Sequence, residues 1–295
     1  MVHIMTNKKD LVVQDNALIN ASYSLDLVEK RLILLAIAKS RKTGEAINSK
    51  DYIEIHSSEY AESFNVEKHA SYKALKDASK NLFHRYFSFE SLSSKGNITK
   101  HKSRWVSEIA YIENESIVKL IFSTRVIPLV QQLEKSFTSY FIEDIANLTS
   151  IYAIRLYELI IAWRSTKQTP IFKYDEFKDK LGVEVHEYSA MKDFKKNVLD
   201  IAIRQINQHT NIQIELEQHK AGRKISGFSF KFIELKYEPE QLRDTKTVDW
   251  VDSEPVIKPK RKSITKKQAE KLAKVGETWS ELIIRLSPDY FIKDL

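Results

Sequence analysis

The chain has 295 residues, of which 42% are hydrophobic and 29% charged, a balance typical of a globular protein with about two domains. It contains no cysteine, which excludes disulfides and cysteine-bound zinc, and no apolar run near the ~20 residues that cross a bilayer. Its net charge of +7 favours a polyanionic partner if the basic residues share one surface.

The N-terminal residues 1–20 are polar and are predicted to form an arm. They lack the apolar core of a signal peptide, so we expect a cytoplasmic protein without a membrane partner. Residues 21–123 then alternate between helical and strand periodicity, and Ser57 offers a good helix N-cap. The predicted helices are 25–38, 57–64 and 68–85, and the predicted strands are 52–55, 85–90, 102–112 and 116–122.

Residues 124–148 are predicted to form a connecting helix. No run rich in Gly, Ser or Pro interrupts this region, which predicts two units held close together.

Residues 149–237 repeat the order of the first unit more clearly. The predicted helices are 151–163, 175–181 and 187–208, and the predicted strands are 170–173, 211–217 and 225–233. Gly182 follows the second helix, where a C-terminal glycine is expected. A helix-turn-helix followed by a β-hairpin is a winged helix.

Residues 238–295 differ in composition from both units and form a C-terminal extension. The basic run 258–262 is interpreted as a solvated linker, with non-specific DNA contact as the alternative. Helical periodicity predicts helices at 265–275 and 278–286.

The two units are copies of one pattern. Segment 72–82 aligns without a gap with segment 188–198, and six of the eleven positions are identical, where about one is expected by chance. Residues 31–38 similarly resemble residues 155–162. The predicted fold class is therefore α+β, with two tandem winged-helix domains at 21–123 and 149–237.

The third helix of the second unit carries the sharpest candidates for DNA contact. In a helix-turn-helix, this helix enters the major groove, where Lys can read guanine and Asn can read adenine. The candidates on its polar face are Ser189, Lys192, Asp193, Lys196, Asn197 and Arg204. The alternative is a solvated polar face, but the return of Lys, Asp, Lys and Asn at the same offsets in the first unit favours DNA contact.

Two further basic groups are candidates for phosphate contact, which positions a protein without reading sequence. The candidates on the hairpin of the second unit are Lys220, Arg223 and Lys224. Those of the first unit are Lys73, Lys76, Lys80, Lys100, Lys102 and Arg104. The alternative is that lysines at hairpin tips maintain solubility and block edge pairing.

Enzyme motifs are missing from the sequence. It has no Gly-x-x-x-x-Gly-Lys, no Gly-x-Gly-x-x-Gly, no His-x-His and no Asp-x-Asp. We therefore predict no catalytic residues, no metal site and no cofactor, although the 13 tyrosines leave a nucleophilic tyrosine open on composition alone.

Four segments, 16–20, 148–159, 194–207 and 220–230, together resemble the Rep proteins that initiate replication of iteron-containing plasmids, a theta-type family with two winged-helix domains. The stretch Ser150-Ile-Tyr-Ala-Ile-Arg-Leu-Tyr-Glu158 is the most specific. The resemblance covers about residues 10–237 and implies nothing for the extension.

The resemblance implies that a monomer binds direct repeats at a plasmid origin, where the second domain reads the major groove and the first contacts adjacent DNA. It also implies recruitment of a host initiator or helicase. A homodimer joined through the first domain would bind an operator inverted repeat and repress the protein's own gene. The alternatives are a two-winged-helix transcriptional regulator without a replication role and a nicking Rep endonuclease.

Overall fold

The computed structural model describes residues 10–43, 47–131, 137–235, 262–265, 268 and 290–293. The chain divides into two compact units, Met1–Glu238 and Pro239–Leu295. The first unit contains both copies of the repeat, which are called the first half and the second half below.

The first half is a winged helix with an additional hairpin. Its elements are α2 (Leu27–Thr43), β2 (Ile53–His56), α3 (Ser57–Ser63), α4 (Lys68–Leu82), β3 (Tyr86–Leu92), β4 (Ile98–Arg104), β5 (Val106–Ile112) and β6 (Ile117–Phe122). The N-cap of α3 is His56, whose side chain accepts from Ser58 N in a capping box with Glu59. Its three-stranded sheet has the order β2-β6-β5.

The second half has the same arrangement without the additional hairpin. Its elements are α6 (Ile151–Ile161), β8 (Phe172–Lys173), α7 (Tyr174–Leu181), α8 (Met191–Phe194), a π-helical turn (Lys195–Leu199), α9 (Asp200–His209), β9 (Ile212–Ala221) and β10 (Lys224–Glu234). Its sheet has the order β8-β10-β9, the same as that of the first half. The predicted tandem winged helices are present.

The additional hairpin corrects the strand prediction for the first half. A single strand was expected over 102–112, but β4 and β5 are separate strands that belong to different sheets. The break falls at Trp105, which is fully buried against Tyr23 and Phe87 with ring centroids 4.9 and 5.0 Å away. β3 and β4 pair only with each other as named strands, so the wing is the β5–β6 hairpin.

The predicted N-terminal arm is also wrong for its described residues. β1 (Leu11–Asp15) and α1 (Asn16–Ile19) belong to the folded unit, and Val12, Leu18 and Ile19 are fully buried. Because polar residues surround this short apolar run, the sequence did not predict that it would be buried.

The connecting segment, residues 124–148, is not the single helix that was predicted. It contains a four-residue helix, α5 (Ile127–Val130), a strand, β7 (Phe137–Phe141), and a 3-10 turn (Ile142–Asp144). β7 pairs antiparallel with β1, from Leu11 opposite Phe141 to Asp15 opposite Phe137. Four of its five residues are aromatic or β-branched, which favours a strand, and pairing with the distant β1 stabilises it.

The two central helices, α2 and α6, form the core that joins the halves. Every residue of α6 from Ala153 to Ile161 is buried, as expected of a helix that is apolar nearly all round. One continuous hydrophobic cluster includes Leu34 of α2, Leu156 of α6 and Phe228 of β10.

The second compact unit is described only in part. β11 (Lys262–Thr265) pairs in parallel with β12 (Tyr290–Lys293). Most of the predicted helices at 265–275 and 278–286 and of the basic run 258–262 lies outside the described residues. Over the described parts of the chain, no helix combines the length and apolarity needed to cross a membrane.

Candidate nucleic-acid interface

The helix-turn-helix of the second half is held by a cluster of aromatic side chains. Phe177 of α7, Phe194 of α8 and Phe228 of β10 are fully buried, with ring centroids 5.7 to 6.2 Å apart. These contacts fix one face of α8 against α7 and the sheet. The opposite face is left towards solvent, where a groove-reading helix must present its side chains.

The third helix of this half, called the reading helix below, runs through α8, the π-helical turn and α9. It begins at Met191, not at residue 187 as predicted, because Tyr188 has a φ of +45° that a helix does not permit. Ser189 therefore precedes the helix. Within the π-helical turn, Val198 and Leu199 are both fully buried.

The predicted contact residues of this helix share one exposed surface. Lys192, Asp193, Lys196, Asn197 and Arg204 are exposed on it, and Ser189 is exposed at its start. Lys195 does not belong to this set, because it is half-buried and donates to Gln218 Oε1 at 3.3 Å. The sequence thus predicted the exposed set correctly, and its contact with DNA stays a prediction.

The wing of the second half is a long hairpin with a basic tip. β9 and β10 pair from Ile212 opposite Glu234 to Ala221 opposite Lys224. A two-residue turn joins them, and Gly222 at its first position has a φ of +64°, which favours glycine. Lys220, Arg223 and Lys224 are exposed there, and in the described ranges none of them forms an ion pair with an acidic side chain.

The corresponding helix of the first half, α4, has a different charge environment. Lys73 and Lys80 are exposed, but Lys76 is half-buried and forms an ion pair with Glu113. The hydrogen bond from Lys76 holds the pKa of Glu113 below its usual value, and the same bond raises the pKa of Lys76. Lys76 is therefore occupied by the protein's own carboxylate.

Glu113 belongs to the wing tip of the first half. The turn between β5 and β6 is the 3-10 segment Glu113–Glu115, followed by Ser116 with a φ of +57°. This wing tip is acidic, in contrast to the basic tip of the second half. Sequence reasoning treated these residues as a plain turn and missed Glu113; the only available signal was the acidic pair beside a predicted hairpin.

Three predicted contact residues of the first half lie on the additional hairpin, not on a wing. Lys100 is exposed and stands 4.0 Å from Glu90, and Lys102 lies over the ring of Tyr86 at 4.7 Å. Arg104 donates to Phe83 O and lies 5.0 Å from the Phe83 ring centroid. Arg104 therefore stabilises the base of the hairpin.

The described residues contain no cluster of candidate metal ligands. Nowhere in these ranges do three His, Asp or Glu side chains lie close enough together to hold a metal ion. Each half presents an exposed helix face with basic side chains, on α4 in the first half and on the reading helix in the second.

Comparison with known proteins identifies a family in two parts. The model described as "Initiator Replication protein, WH1" matches residues 11–161, which are more than half of the chain, and "Initiator Rep protein, WH2" matches residues 173–232. The first model ends after α6. The packing groups α6 with the second half, because Gln205 Oε1 of α9 accepts from Thr149 N and Ser150 N at 3.0 and 3.1 Å.

Individual relatives and one solved structure agree with this match. A "Replication initiation protein" of Escherichia coli is 25% identical over 230 residues, which are 76% of this chain and 70% of that protein. The "PI protein" of Escherichia coli is 26% identical over 262 residues, 77% of this chain and 84% of that protein. The crystal structure of Pi initiator protein in complex with iteron DNA has a TM-score of 0.60 and 22% identity, and covers 78% of this chain and 100% of that one.

Proposed function

Because the chain belongs to the family of initiator replication proteins with two winged-helix domains, we propose that it initiates plasmid replication by binding direct repeats at an origin sequence-specifically. The observation that carries this proposal is the second half, where an exposed reading helix and a basic wing tip lie on one winged helix. Its contacts divide into base reading and phosphate contact.

Base reading is assigned to the first turns of the reading helix. The ammonium of Lys192 or Lys196 can donate to guanine O6 and N7, and the Asn197 amide can bond both N6 and N7 of adenine. Asp193, on the same face, can accept from a cytosine amino group. Arg204 lies two turns further along, where a helix leaves the groove, and is suited to phosphate.

Phosphate contact is assigned to basic residues outside that helix. Lys220, Arg223 and Lys224 at the wing tip are placed to follow the backbone, as are Lys73 and Lys80 of α4 on adjacent DNA. Such contacts release counterions and strengthen binding to all duplexes. They carry no sequence information.

The proposal extends to the partners of the family resemblance. A homodimer joined through the first half binds an operator inverted repeat and represses the protein's own gene. The monomer recruits a host initiator or helicase at the opened origin, in the cytoplasm. The protein acts without an enzymatic step of its own.

The test is binding to duplex DNA from the region flanking the protein's own gene, against scrambled DNA, across a salt series. We expect tight, sequence-dependent binding with log K falling linearly in log salt. Lys196→Ala should cost about 1–3 kcal/mol on the specific site and much less on scrambled DNA. Arg223→Ala should weaken both DNAs alike and reduce the salt slope by about 0.9.

Lys50→Ala serves as the matched control, because Lys50 is an exposed lysine outside every predicted contact surface. It should leave both affinities unchanged. Equal behaviour of Lys196→Ala and Arg223→Ala on the two DNAs would refute the division into reading helix and positioning wing.

A second experiment separates an initiator from a transcriptional regulator that binds in the same way. A plasmid that carries the binding sites and lacks the gene is introduced into cells that express the protein from elsewhere. Maintenance of that plasmid is expected for an initiator. Its loss, with repression of a reporter retained, would assign the protein to regulation alone.

A further inference from the structure

A buried group of charged side chains joins the two halves. Lys30 of α2 and Arg155 and Glu158 of α6 are essentially inaccessible, with side-chain exposures of 0%, 1% and 0%. Lys30 Nζ lies 2.8 Å from Glu158 Oε1, and Arg155 Nη1 lies 2.9 Å from Glu158 Oε2. The ion pair between Lys30 and Glu158 therefore crosses from the first half to the second.

Glu158 gathers further donors from other elements. Its Oε1 also accepts from Tyr140 Oη of β7 at 2.6 Å and from Gln14 Nε2 of β1 at 3.0 Å. Both of its oxygens are thus occupied. A carboxylate satisfied in this way requires its donors in one arrangement, because each bond tolerates only small departures in length and angle.

Arg155 reaches back to the segment that leads into α2. Its Nη2 donates to Ile19 O and Ala21 O at 3.0 Å each, and to Lys180 O of α7 at 2.7 Å. Since Lys180 belongs to the helix-turn-helix of the second half, one guanidinium links that motif to the chain before the first half.

Arg31, one residue after Lys30, makes the reciprocal connection. It occupies the position in α2 that Arg155 occupies in α6, each four residues after the first residue of its helix. Arg31 Nη2 donates to Ala146 O and Leu148 O at 2.9 Å each, in the segment that leads into α6. An arginine on each central helix therefore binds the backbone of the segment that precedes the other central helix. We call Lys30, Arg31, Arg155 and Glu158 together the crossed clasp.

The crossed clasp is connected to both DNA-facing helices. Glu29, fully buried beside Lys30, pairs with Arg85 just after α4 at 2.9 Å. On the other side, Gln205 of α9 binds the N-terminal end of α6 through Thr149 and Ser150. The two central helices thus connect the clasp to the end of α4 through Glu29 and Arg85, and to the reading helix through Gln205.

Stability alone does not account for a group of this kind. Moving charges out of water is costly, and well-packed apolar side chains often hold a core equally well or better. A buried charged network instead favours one relative position of the elements that carry it, because moving one member away leaves an unpaired charge in the interior.

We propose that the crossed clasp is a positioning element that fixes the angle and distance between α4 and the reading helix, and thereby the spacing of the two DNA contacts that the protein accepts. The inference about the spacing of the DNA contacts rests on the proposed function. The inference about the angle between the halves is independent of that function.

The first test measures the fixed distance in the free, full-length protein. The sequence has no cysteine, so spin labels can be placed only where they are wanted, at Glu62→Cys on α3 and Gln208→Cys on α9, which are exposed positions. Pulsed electron resonance on labelled protein mixed with an excess of unlabelled wild type, so that a homodimer adds no distances between its two copies, should give one narrow distance distribution. Lys30→Met should broaden it by more than about 5 Å, as expected when domains move freely.

Two further variants make this measurement decisive. Lys30→Met leaves Glu158 paired with Arg155, so the single variant contains no lone carboxylate and is expected to fold. Lys30→Met/Glu158→Gln also removes the carboxylate, and Arg155 then keeps only its neutral acceptors, which include Ile19 O, Ala21 O and Lys180 O; it should broaden the distribution as well. Lys39→Met is the matched control, because Lys39 lies on the same helix but pairs with Glu59 within the first half at 2.8 Å. A distribution that stays narrow in the folded double variant overturns the proposal.

The second test uses DNA. Inserting about 5 base pairs between the contacts of the two halves turns them to opposite sides of the duplex. This insertion should weaken binding of the wild type and of Lys39→Met at least 100-fold, and that of the double variant less than 10-fold. Equal losses in all three overturn the link to site spacing, whereas a wild type without specific binding overturns the proposed function and leaves the distance result standing.

Discussion

At the scale of single residues, the interior carboxylate Glu158 is held by four donors, which are Lys30, Arg155, Tyr140 and Gln14. Burial alone would raise its pKa, but Lys30 and Arg155 outweigh burial and lower the pKa to about 2. Burial in turn lowers the pKa of Lys30 to about 8. Both members of the pair are therefore mostly charged at pH 7, although they are removed from water.

This pKa predicts how stability depends on acid. The folded pKa of Glu158 lies below the ordinary value of 4.5, so its contribution is complete above about pH 4.5 and is lost as the pH falls towards 2. A shift of this size corresponds to about 3 kcal/mol. Urea unfolding between pH 3 and 6 should show a steep acid loss in the wild type and a shallower one in Glu158→Gln. Parallel curves would show that other carboxylates dominate.

A second residue-scale prediction concerns the acidic wing tip. Glu113→Gln removes the partner of Lys76 and should strengthen binding to any duplex by about three- to ten-fold at low salt, because a lysine is released towards phosphate. Filter binding on scrambled DNA measures the effect.

Glu115→Gln is the control for this change. It removes the same charge from the same turn without releasing Lys76, so it should strengthen binding less than Glu113→Gln does. Equal gains in the two variants would mean that wing-tip charge alone matters.

At the scale of elements, periodicity predicted the helices and most strands of the two winged helices, because these are local properties of the chain. The helix predicted over 151–163 is present as α6, which ends at Ile161, and Gly182 lies directly after α7 as predicted. Pairing between distant segments could not be predicted in the same way, and β7 was read as part of a helix because its partner β1 lies at the other end of the first half. The π-helical turn has no sequence signal at all.

The same limit applies to the candidate interface. A helical wheel sufficed for Lys192, Lys196 and Asn197, since exposure follows from the apolar face of the same helix. Sequence pattern failed for Lys76, predicted from the repeat, and for Arg104, predicted from its place near a hairpin tip, because their partners Glu113 and Phe83 come from other elements. Sequence pattern alone does not show which basic side chains bind other groups of the protein and which are exposed for DNA.

Two glycines allow a matched prediction at this scale. Gly96 and Gly182 both have a φ of +78°, but a Cβ at Gly96 would meet open space, whereas one at Gly182 would lie 2.4 Å from Tyr23 O. Gly96→Ala should cost about 1 kcal/mol of backbone strain. Gly182→Ala should cost at least about 3 kcal/mol, because backbone must also move.

Chemical denaturation of the two variants measures this difference. Gly182 approaches the segment that leads into α2, so its replacement also disturbs the contact between the halves. Equal losses of stability in the two variants would mean that the backbone near Tyr23 moves away from the new Cβ without lowering the free energy of unfolding.

At the scale of the whole molecule, both winged helices lie within the compact unit that ends at Glu238. The family models, which match residues 11–161 and 173–232, also stop before that point. We therefore expect the DNA-binding surface to lie in the first unit.

A chain ended after Glu238 should therefore fold and bind as the whole chain does. We expect its melting temperature to change by less than about 4 °C, which is about 1 kcal/mol for a protein of this size, and its affinity for the specific site to change by less than about threefold. Calorimetry and the binding assay described above measure both. A tenfold loss of affinity would place a DNA contact in the extension.

The two wing tips differ in charge. Glu113 and Glu115 lie at the wing tip of the first half, whereas Lys220, Arg223 and Lys224 lie at that of the second half. Phosphate therefore attracts one wing and repels the other. On the tandem sites of the proposed function, this difference adds to the reading of base sequence, so every bound copy should have the same orientation along the duplex.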